Sequence, residues 1–290
     1  MDRRSYIIRK LPKDNGEFRE IAEPRLKLKA LQRSVLRWLM ARRIGPSKYA
    51  HAFVKNRSIS TNAQVHTNKR VVIRVDIKDF FGSITKEQLL NALKNEGISA
   101  EDAQRIAEIC TLNNGVNAYL PQGSPTSPFL SNLVLKKLDY RLAGLAKRWA
   151  EDMRNTAYTR YCDDMIFSSR DTKLNMILPI VEKFVCETGF KINKAKTLVM
   201  RNGNRQFVTG VVVNKTPNIL RKEKRNFRAE LHNIKAKLIK GENTAFNMAK
   251  LQGKAAFIKS INPDAGKRLV QDVNEIKNLL ALQNNLVKIC

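Results

Sequence analysis

The sequence predicts an α+β fold, an antiparallel sheet with helices against one face. Three observations predict it. The apolar patterns of the 290-residue chain run strand, helix, helix, strand, strand, helix, strand. From about Arg221 onward the spacing becomes mostly helical. Within the first part, YTRYCDDMIFSS, Tyr158 to Ser169, sets β-prone arms on either side of Asp163 and Asp164.

Each element has a local reason. LKLKALQRSVLRWLMARRI, Leu26 to Ile44, repeats apolar residues at helical spacing after Pro24, so a helix starts there. RVVIRVDIKDFFGSI, Arg70 to Ile84, begins as a strand at Val71, Ile73 and Val75 and ends in a polar, glycine-containing turn. Two short helices fill Lys86 to Leu112, interrupted near Gly97. PQGSPTSPFLSNLVLKKLDYRLAGLAKRW opens as a Pro/Gly loop and becomes one long helix near Ser127 or Pro128. The acid doublet comes next. Adjacent strand residues point to opposite faces, and neighbouring carboxylates repel. If both acids serve one site, Cys162-Asp163-Asp164 must be a tight hairpin tip; otherwise it is an ordinary solvated turn. A helix around Leu174 to Gly189 follows, then strands at KTLVM and QFVTGVVV. In the helical tail, Phe227, Leu231, Ile234 and Leu238 form one apolar stripe. Arg221, Arg225, Arg228, His232 and Lys235 recur along a neighbouring face, either as solvated surface or as phosphate contacts.

Charge narrows the partner. Against 26 Asp+Glu stand 54 Lys+Arg, a net charge of +28, while the apolar share of 43% is ordinary for a globular chain. Such an excess points to a polyanion, and nucleic acid is the commonest one. An anionic membrane surface is the competing reading, but the basic residues are scattered rather than stacked on one amphipathic helix. No apolar run approaches transmembrane length, and MDRRSYIIRKLPK meets polar residues too soon for a secretory signal. Cys110, Cys162, Cys186 and Cys290 show neither zinc-like spacing nor a disulfide framework. A reduced, cytoplasmic, nucleic-acid-binding protein with no membrane partner is expected.

A third acid, Asp76, ends the strand VVIRVD. Acids at strand ends and hairpin tips can converge on one sheet edge. Bound Mg²⁺ would give three carboxylates a reason to gather, since hard cations take oxygen ligands and neutralise the repulsion. A nuclease and a polymerase could both use such a site for phosphoryl transfer.

VDIKDFF, LPQGSPTSPFLSNL, YCDD and GFKINKAKT, in this order and with these gaps, resemble the palm motifs of reverse transcriptases. The resemblance covers nearly the whole chain, from LPKDNGEFREI onward. It implies a right-hand polymerase: fingers over 1–70, a ferredoxin-like palm with finger insertions over 71–215, and an α-helical, RNA-binding thumb over 216–290. It implies that Asp76, Asp163 and Asp164 hold two Mg²⁺ ions, with Mn²⁺ as a substitute and Ile77 among the metal-binding positions. Lys13 and Arg19 match basic finger residues that grip the triphosphate of the incoming dNTP. Phe81, five residues after Asp76, matches the aromatic that closes against a ribose 2′-OH, with Phe80 as its rival. Gln122 matches a residue lining the nucleotide pocket, and Lys196 a lysine proposed to protonate the pyrophosphate leaving group. Cys162 stands where close relatives usually carry alanine; it is small and apolar enough to fit, which leaves fidelity or thiol sensitivity open to change.

Two shorter motifs point to the bacterial retron group. NAQVH, Asn62 to His66, fits its NAxxH pattern, and Val208-Thr209-Gly210 fits its VTG triplet. RNA contact is the expectation for these residues. The competing readings are a satisfied structural histidine for His66 and a close backbone approach at Thr209-Gly210. Length is expected to leave no room after the thumb for an RNase H, an integrase or the accessory parts of group II intron proteins. Retron membership implies a cognate structured RNA as primer and template, initiation from an internal guanosine 2′-OH, a branched RNA–DNA product (msDNA), and anti-phage defence with a separate effector protein. Two rivals stay open. One is a diversity-generating or abortive-infection reverse transcriptase; the other is an RNA-binding scaffold with a vestigial site, which would have no need of mutually repelling acids.

Overall fold

In the computed structural model of the chain, residues 1–12, 16–149, 155–242 and 244–287 are described, with side chains described up to residue 283. The chain opens with an antiparallel hairpin of β1 (Tyr6–Pro12) and β2 (Phe18–Pro24), which the sequence did not announce because its apolar residues do not alternate cleanly. α1 (Leu26–Ala41) starts after Pro24 as expected and turns Leu28 and Leu39 inward. α2 (Ile59–Val65) is begun by Ser58, whose side chain and that of Thr61 cap each other's backbone.

β3 (Val71–Asp76) leads into a single helical turn, α3 (Phe80–Ser83). The two expected short helices are α4 (Lys86–Asn95), capped by Thr85, and α5 (Ala100–Cys110), capped by Ser99. Gly97 lies between them at φ 80°, the left-handed geometry that ends a helix. A short pair, β4 (Leu112–Asn113) and β5 (Ala118–Tyr119), precedes α6 (Ser127–Val134) and α7 (Lys136–Trp149). The single long helix expected there is thus interrupted at Leu135, although its N–H still reaches the Ser131 carbonyl at 3.2 Å.

β6 (Ala157–Tyr161) and β7 (Asp164–Ser169) form the acid-bearing hairpin. A 3₁₀ turn, Thr172–Ile177, then feeds α8 (Leu178–Glu187), followed by β8 (Leu198–Arg201). QFVTGVVV does not join the main sheet as a strand. It folds on itself as β9 (Phe207–Val208) and β10 (Val211–Val212), because Thr209 and Gly210 both take positive φ, 47° and 81°, as a two-residue hairpin turn requires. Three helices close the described chain: α9 (Arg221–Ile239), α10 (Met248–Ile261) and α11 (Pro263–Val287). None of the described helices is long and apolar enough to cross a membrane.

The main sheet is antiparallel throughout, in the order β6-β7-β3-β8. Numbered by appearance those strands run 2-3-1-4, the ferredoxin-like arrangement. Its central strand is buried on both faces. Val71, Ile73 and Val75 pack against the helical layer with Leu89, Leu138, Leu142 and Val185. Val72, on the other face, joins Ile166, Val208 and Val211 and, from α9, α10 and α11, Phe227, Leu231, Leu251 and Val273. The expectation of cover on one face is therefore corrected, and VVIRV reads as a continuous apolar run for this reason.

Candidate active site

Register brings the acids together. Asp76, last residue of β3, pairs with Asp164, first residue of β7, and Asp164 also pairs with Tyr161 of β6. Residues opposite each other across antiparallel strands share a face. Asp76 and Asp164 therefore lie on the face of Arg74 and Val72, away from the main helical layer. Cys162-Asp163 is the two-residue turn between β6 and β7, with Cys162 in the left-handed region at φ 59°. The Ile77 N–H donates to the Asp163 carbonyl at 3.1 Å and ties the tip to β3.

Two cations partly offset the acids. Lys196 Nζ stands 3.7 Å from Asp76 Oδ2, and Arg74 Nε 3.8 Å from Asp164 Oδ1. The offset is incomplete. Burial, reinforced by the charge of Asp163, raises the Asp76 carboxyl above its ordinary value. Asp164 is raised to about 6, first by burial and then by Asp163 and Asp76, against the pull of Arg74. Burial also holds the Cys162 thiol well above its usual range, so it stays protonated and poorly nucleophilic, against any expectation of thiol sensitivity.

Among the described residues, no three His, Cys, Asp or Glu side chains close around one point as a complete metal cage. Mg²⁺ does not require one, because it is ordinarily held by one or two carboxylates together with water and substrate phosphates. A donor set of hard carboxylate oxygens, raised first by burial and then by their like charges, fits such an ion, and Asp76 and Asp164 with Asp163 beside them would hold it.

The neighbouring positions sort themselves by exposure. Phe80 is 5% exposed and belongs to the core, whereas Phe81 keeps a partly open ring 5.1 Å from that of Phe80. Asp79 turns the chain at φ 46°, and a Cβ on Gly82 would lie 2.5 Å from its carboxylate, so a larger residue there would displace the Asp79 side chain. The Gln122 carbonyl accepts from the Ala22 N–H at 2.7 Å and straps its loop to β2. β2 also carries the exposed Arg19. Lys13 lies outside the described residues.

The RNA assignments need correction. Asn62 on α2 and His66, the residue that ends it, lie four apart on one side and are fully buried against the sheet. Thr159 donates to Asn62 Oδ1 at 2.5 Å, so its oxygen can only accept from His66 Nε2 at 2.7 Å. The neutral ring must then carry its proton on Nε2 and accept from Ser168 at Nδ1, also 2.7 Å. Burial pulls His66 down to about 3 and keeps it neutral. Asn62 and His66 therefore clamp α2 to the sheet, with their side chains buried away from the surface where RNA contact was expected. Val208 is buried as well, and Thr209-Gly210 form the β9–β10 turn. On α9, Arg221, Arg225 and Arg228 are exposed as expected, but Lys235 is paired with Glu275 of α11 and drops out of the free stripe. Arg74 and a buried pair, Arg160 with Asp139, escaped the sequence reading; a charged residue inside an otherwise apolar strand or helix was the available signal.

The family described as "Reverse transcriptase (RNA-dependent DNA polymerase)" matches residues 11–238. The chain is 38% identical over 283 residues to the Retron Mx65 reverse transcriptase of Myxococcus xanthus, covering 92% of this chain and 64% of that protein. It is 32% identical over 289 residues to the Retron Ec73 reverse transcriptase of Escherichia coli, covering 93% and 88%. Among solved structures, the telomerase from Candida albicans in complex with a TWJ fragment of telomeric RNA superposes with a TM-score of 0.56. That match covers 97% of this chain and 56% of the telomerase at 12% identity, a likeness of fold. The fold is a right-hand polymerase, and the chain belongs to the reverse transcriptase family and, within it, to the bacterial retron reverse transcriptases.

Proposed function

We propose that this protein is an RNA-directed DNA polymerase that copies part of a cognate structured non-coding RNA into DNA. Synthesis starts from an internal guanosine 2′-OH and yields branched RNA–DNA. The observation that carries the polymerase reading is the register setting Asp76 opposite Asp164, with Asp163 on the turn beside them. Bound Mg²⁺, with Mn²⁺ as a substitute, supplies positive charge to the attacking and leaving oxygens of the transfer. Lys196, 3.7 Å from Asp76, is the proton donor for departing pyrophosphate. Arg19 and Lys13 bind the dNTP triphosphate, Gln122 lines the base pocket, and Phe81 closes against the sugar. We assign fingers to 1–70, palm to 71–215 and thumb to 216–290, where Arg221, Arg225 and Arg228 grip the RNA stem through phosphate contacts. The protein acts in the cytoplasm as the DNA-making part of an anti-phage system with a separate effector.

Sequencing the nucleic acid that co-purifies, before and after treatment with a debranching enzyme, tests this reading. The expected product is DNA joined to one guanosine of one RNA. Extension of annealed primers without any branched product would remove retron initiation and leave the polymerase. Absence of extension on every template would remove both.

A further inference from the structure

Beneath the acid-bearing tip lies a charged pair for which the chemistry above has no use. Arg160 and Asp139 are both completely buried. Arg160 Nε and Nη2 donate to the two oxygens of Asp139 at 2.8 and 2.9 Å. Tyr158 Oη at 2.8 Å and Ser47 Oγ at 2.5 Å donate to the same carboxylate. A forked, fully satisfied pair of this kind is rigid, and breaking it would strand a buried charge.

The remaining guanidinium nitrogen reaches elsewhere. Arg160 Nη1 donates to the Cys162 carbonyl at 2.9 Å and to Asn132 Oδ1 at 3.0 Å. Cys162 is the turn residue at φ 59°, a conformation disfavoured in a residue with a side chain that persists only where its surroundings enforce it. The next carbonyl, that of Asp163, is held from β3 by the Ile77 N–H. Both carbonyls of the turn are therefore fixed, one from each side of the sheet edge. Arg160 pairs with Met165 and so faces the helical layer, opposite the face of Asp76 and Asp164.

We propose that Arg160 is a positioning residue, which locks the Cys162-Asp163 turn so that Asp163 and Asp164 keep the placement that metal-dependent nucleotidyl transfer needs. The proposal rests on the reading of the three acids given under Proposed function. It also accounts for arginine here: a planar fork can engage both oxygens of Asp139 and still spare a nitrogen for the turn, whereas an ammonium is a single point. A pair serving core stability alone would predict lower stability with an unaltered metal requirement.

The test uses the full chain with a dideoxy-terminated primer–template and dNTP. Mn²⁺ binding is read from the free-ion electron paramagnetic resonance signal, and the Mg²⁺ dependence of extension is measured in parallel on an extendable primer. Arg160→Lys is expected to weaken Mn²⁺ binding roughly tenfold and to raise the Mg²⁺ needed for half-maximal extension to match. Asn132→Ala, which frees the Nη1 arm, should shift both in the same direction by about threefold. Tyr158→Phe removes a donor from the same carboxylate without touching the Cys162 carbonyl, so it should melt earlier and titrate like wild type. If Arg160→Lys and Asn132→Ala titrate like Tyr158→Phe, the proposal is overturned. Should Arg160→Lys fail to fold, Asn132→Ala against Tyr158→Phe decides the matter. A wild-type protein that extends primers without metal and binds no Mn²⁺ would instead overturn the acid site itself.

Discussion

The β6–β7 hairpin carries polar residues at both of its ends, and the two ends are built on opposite terms. At the turn, Asp76, Asp163 and Asp164 are crowded by like charge and only partly offset by Lys196 and Arg74. Toward the other end, Ser168, His66, Thr159 and Asn62 hand hydrogen bonds along a buried chain in which the Asn62 Nδ2 alone lacks a partner. Both are short motifs with a family signature. The difference teaches that a motif made of chemically capable residues is a candidate for function where like charges are crowded inside the fold, and a candidate for architecture where most of its polar groups satisfy one another.

The largest effect should come from the turn. Asp163→Asn is expected to lower primer extension on the order of a thousandfold or more, with melting temperature and RNA affinity close to wild type. Extension at the wild-type rate would erase the contrast.

At the other end the sign of the damage should reverse. His66→Ala leaves the Ser168 and Thr159 hydroxyls without their shared partner and should cost about 2–4 kcal/mol in urea unfolding. Its RNA affinity, measured well below the melting point, should not change. Unaltered stability with weakened RNA binding would return NAQVH to the interface.

Acidity sharpens the comparison further. His66, held near 3 in the fold and ionising at its ordinary value in the unfolded chain, contributes stability that is present above about 6.5 and lost as pH falls toward 3. Asp164 works the other way: its folded value of about 6 means that metal-free protein loses stability as pH rises from the ordinary carboxylate value through 6. In EDTA at pH 7.5, Asp164→Asn should therefore be about 1–2 kcal/mol more stable than wild type while inactive. Melting curves between pH 4.5 and 7.5 should show the advantage shrinking with acid. Destabilisation of this variant at neutral pH in EDTA would show that Arg74 already compensates the acid.

The smallest effects are expected on the thumb. Replacing Arg225 and Arg228 by glutamine should reduce the slope of log affinity against log salt by about one unit per lost phosphate contact. Lys235→Gln, already paired with Glu275, should leave the slope unchanged. An equal change for Lys235 would show that this pair opens on RNA.

The acid-bearing sheet edge and the first of the last three helices were legible because their signals are local or ordered: a strand ending in Asp76, a β-prone arm on either side of the doublet, and the apolar stripe of α9. What escaped depends on pairing between distant segments. Nothing in VVIRV says that Val72 will meet a thumb that begins more than a hundred residues later. QFVTGVVV has the composition of a strand, and only the positive φ of Thr209, unusual for a β-branched residue, turns it into a hairpin. His66 could not be assigned between RNA and core, because burial is decided by where α2 docks rather than by the helix itself. The same holds for Lys235, whose partner lies on α11.

The second core, shared between Val72 and Ile166 of the sheet and Phe227, Leu251 and Val273 of the last three helices, bears on how the protein is made. A ribosome delivers β3 and β7 long before α9–α11, so one apolar face of the nascent sheet waits uncovered while the rest of the chain is translated. During that interval the unfinished protein presents a sticky strand surface to chaperones and to its own copies. Translation that stalls after β8 should yield aggregation-prone fragments, and variants that loosen α11 should lower the yield of soluble enzyme before they alter its activity.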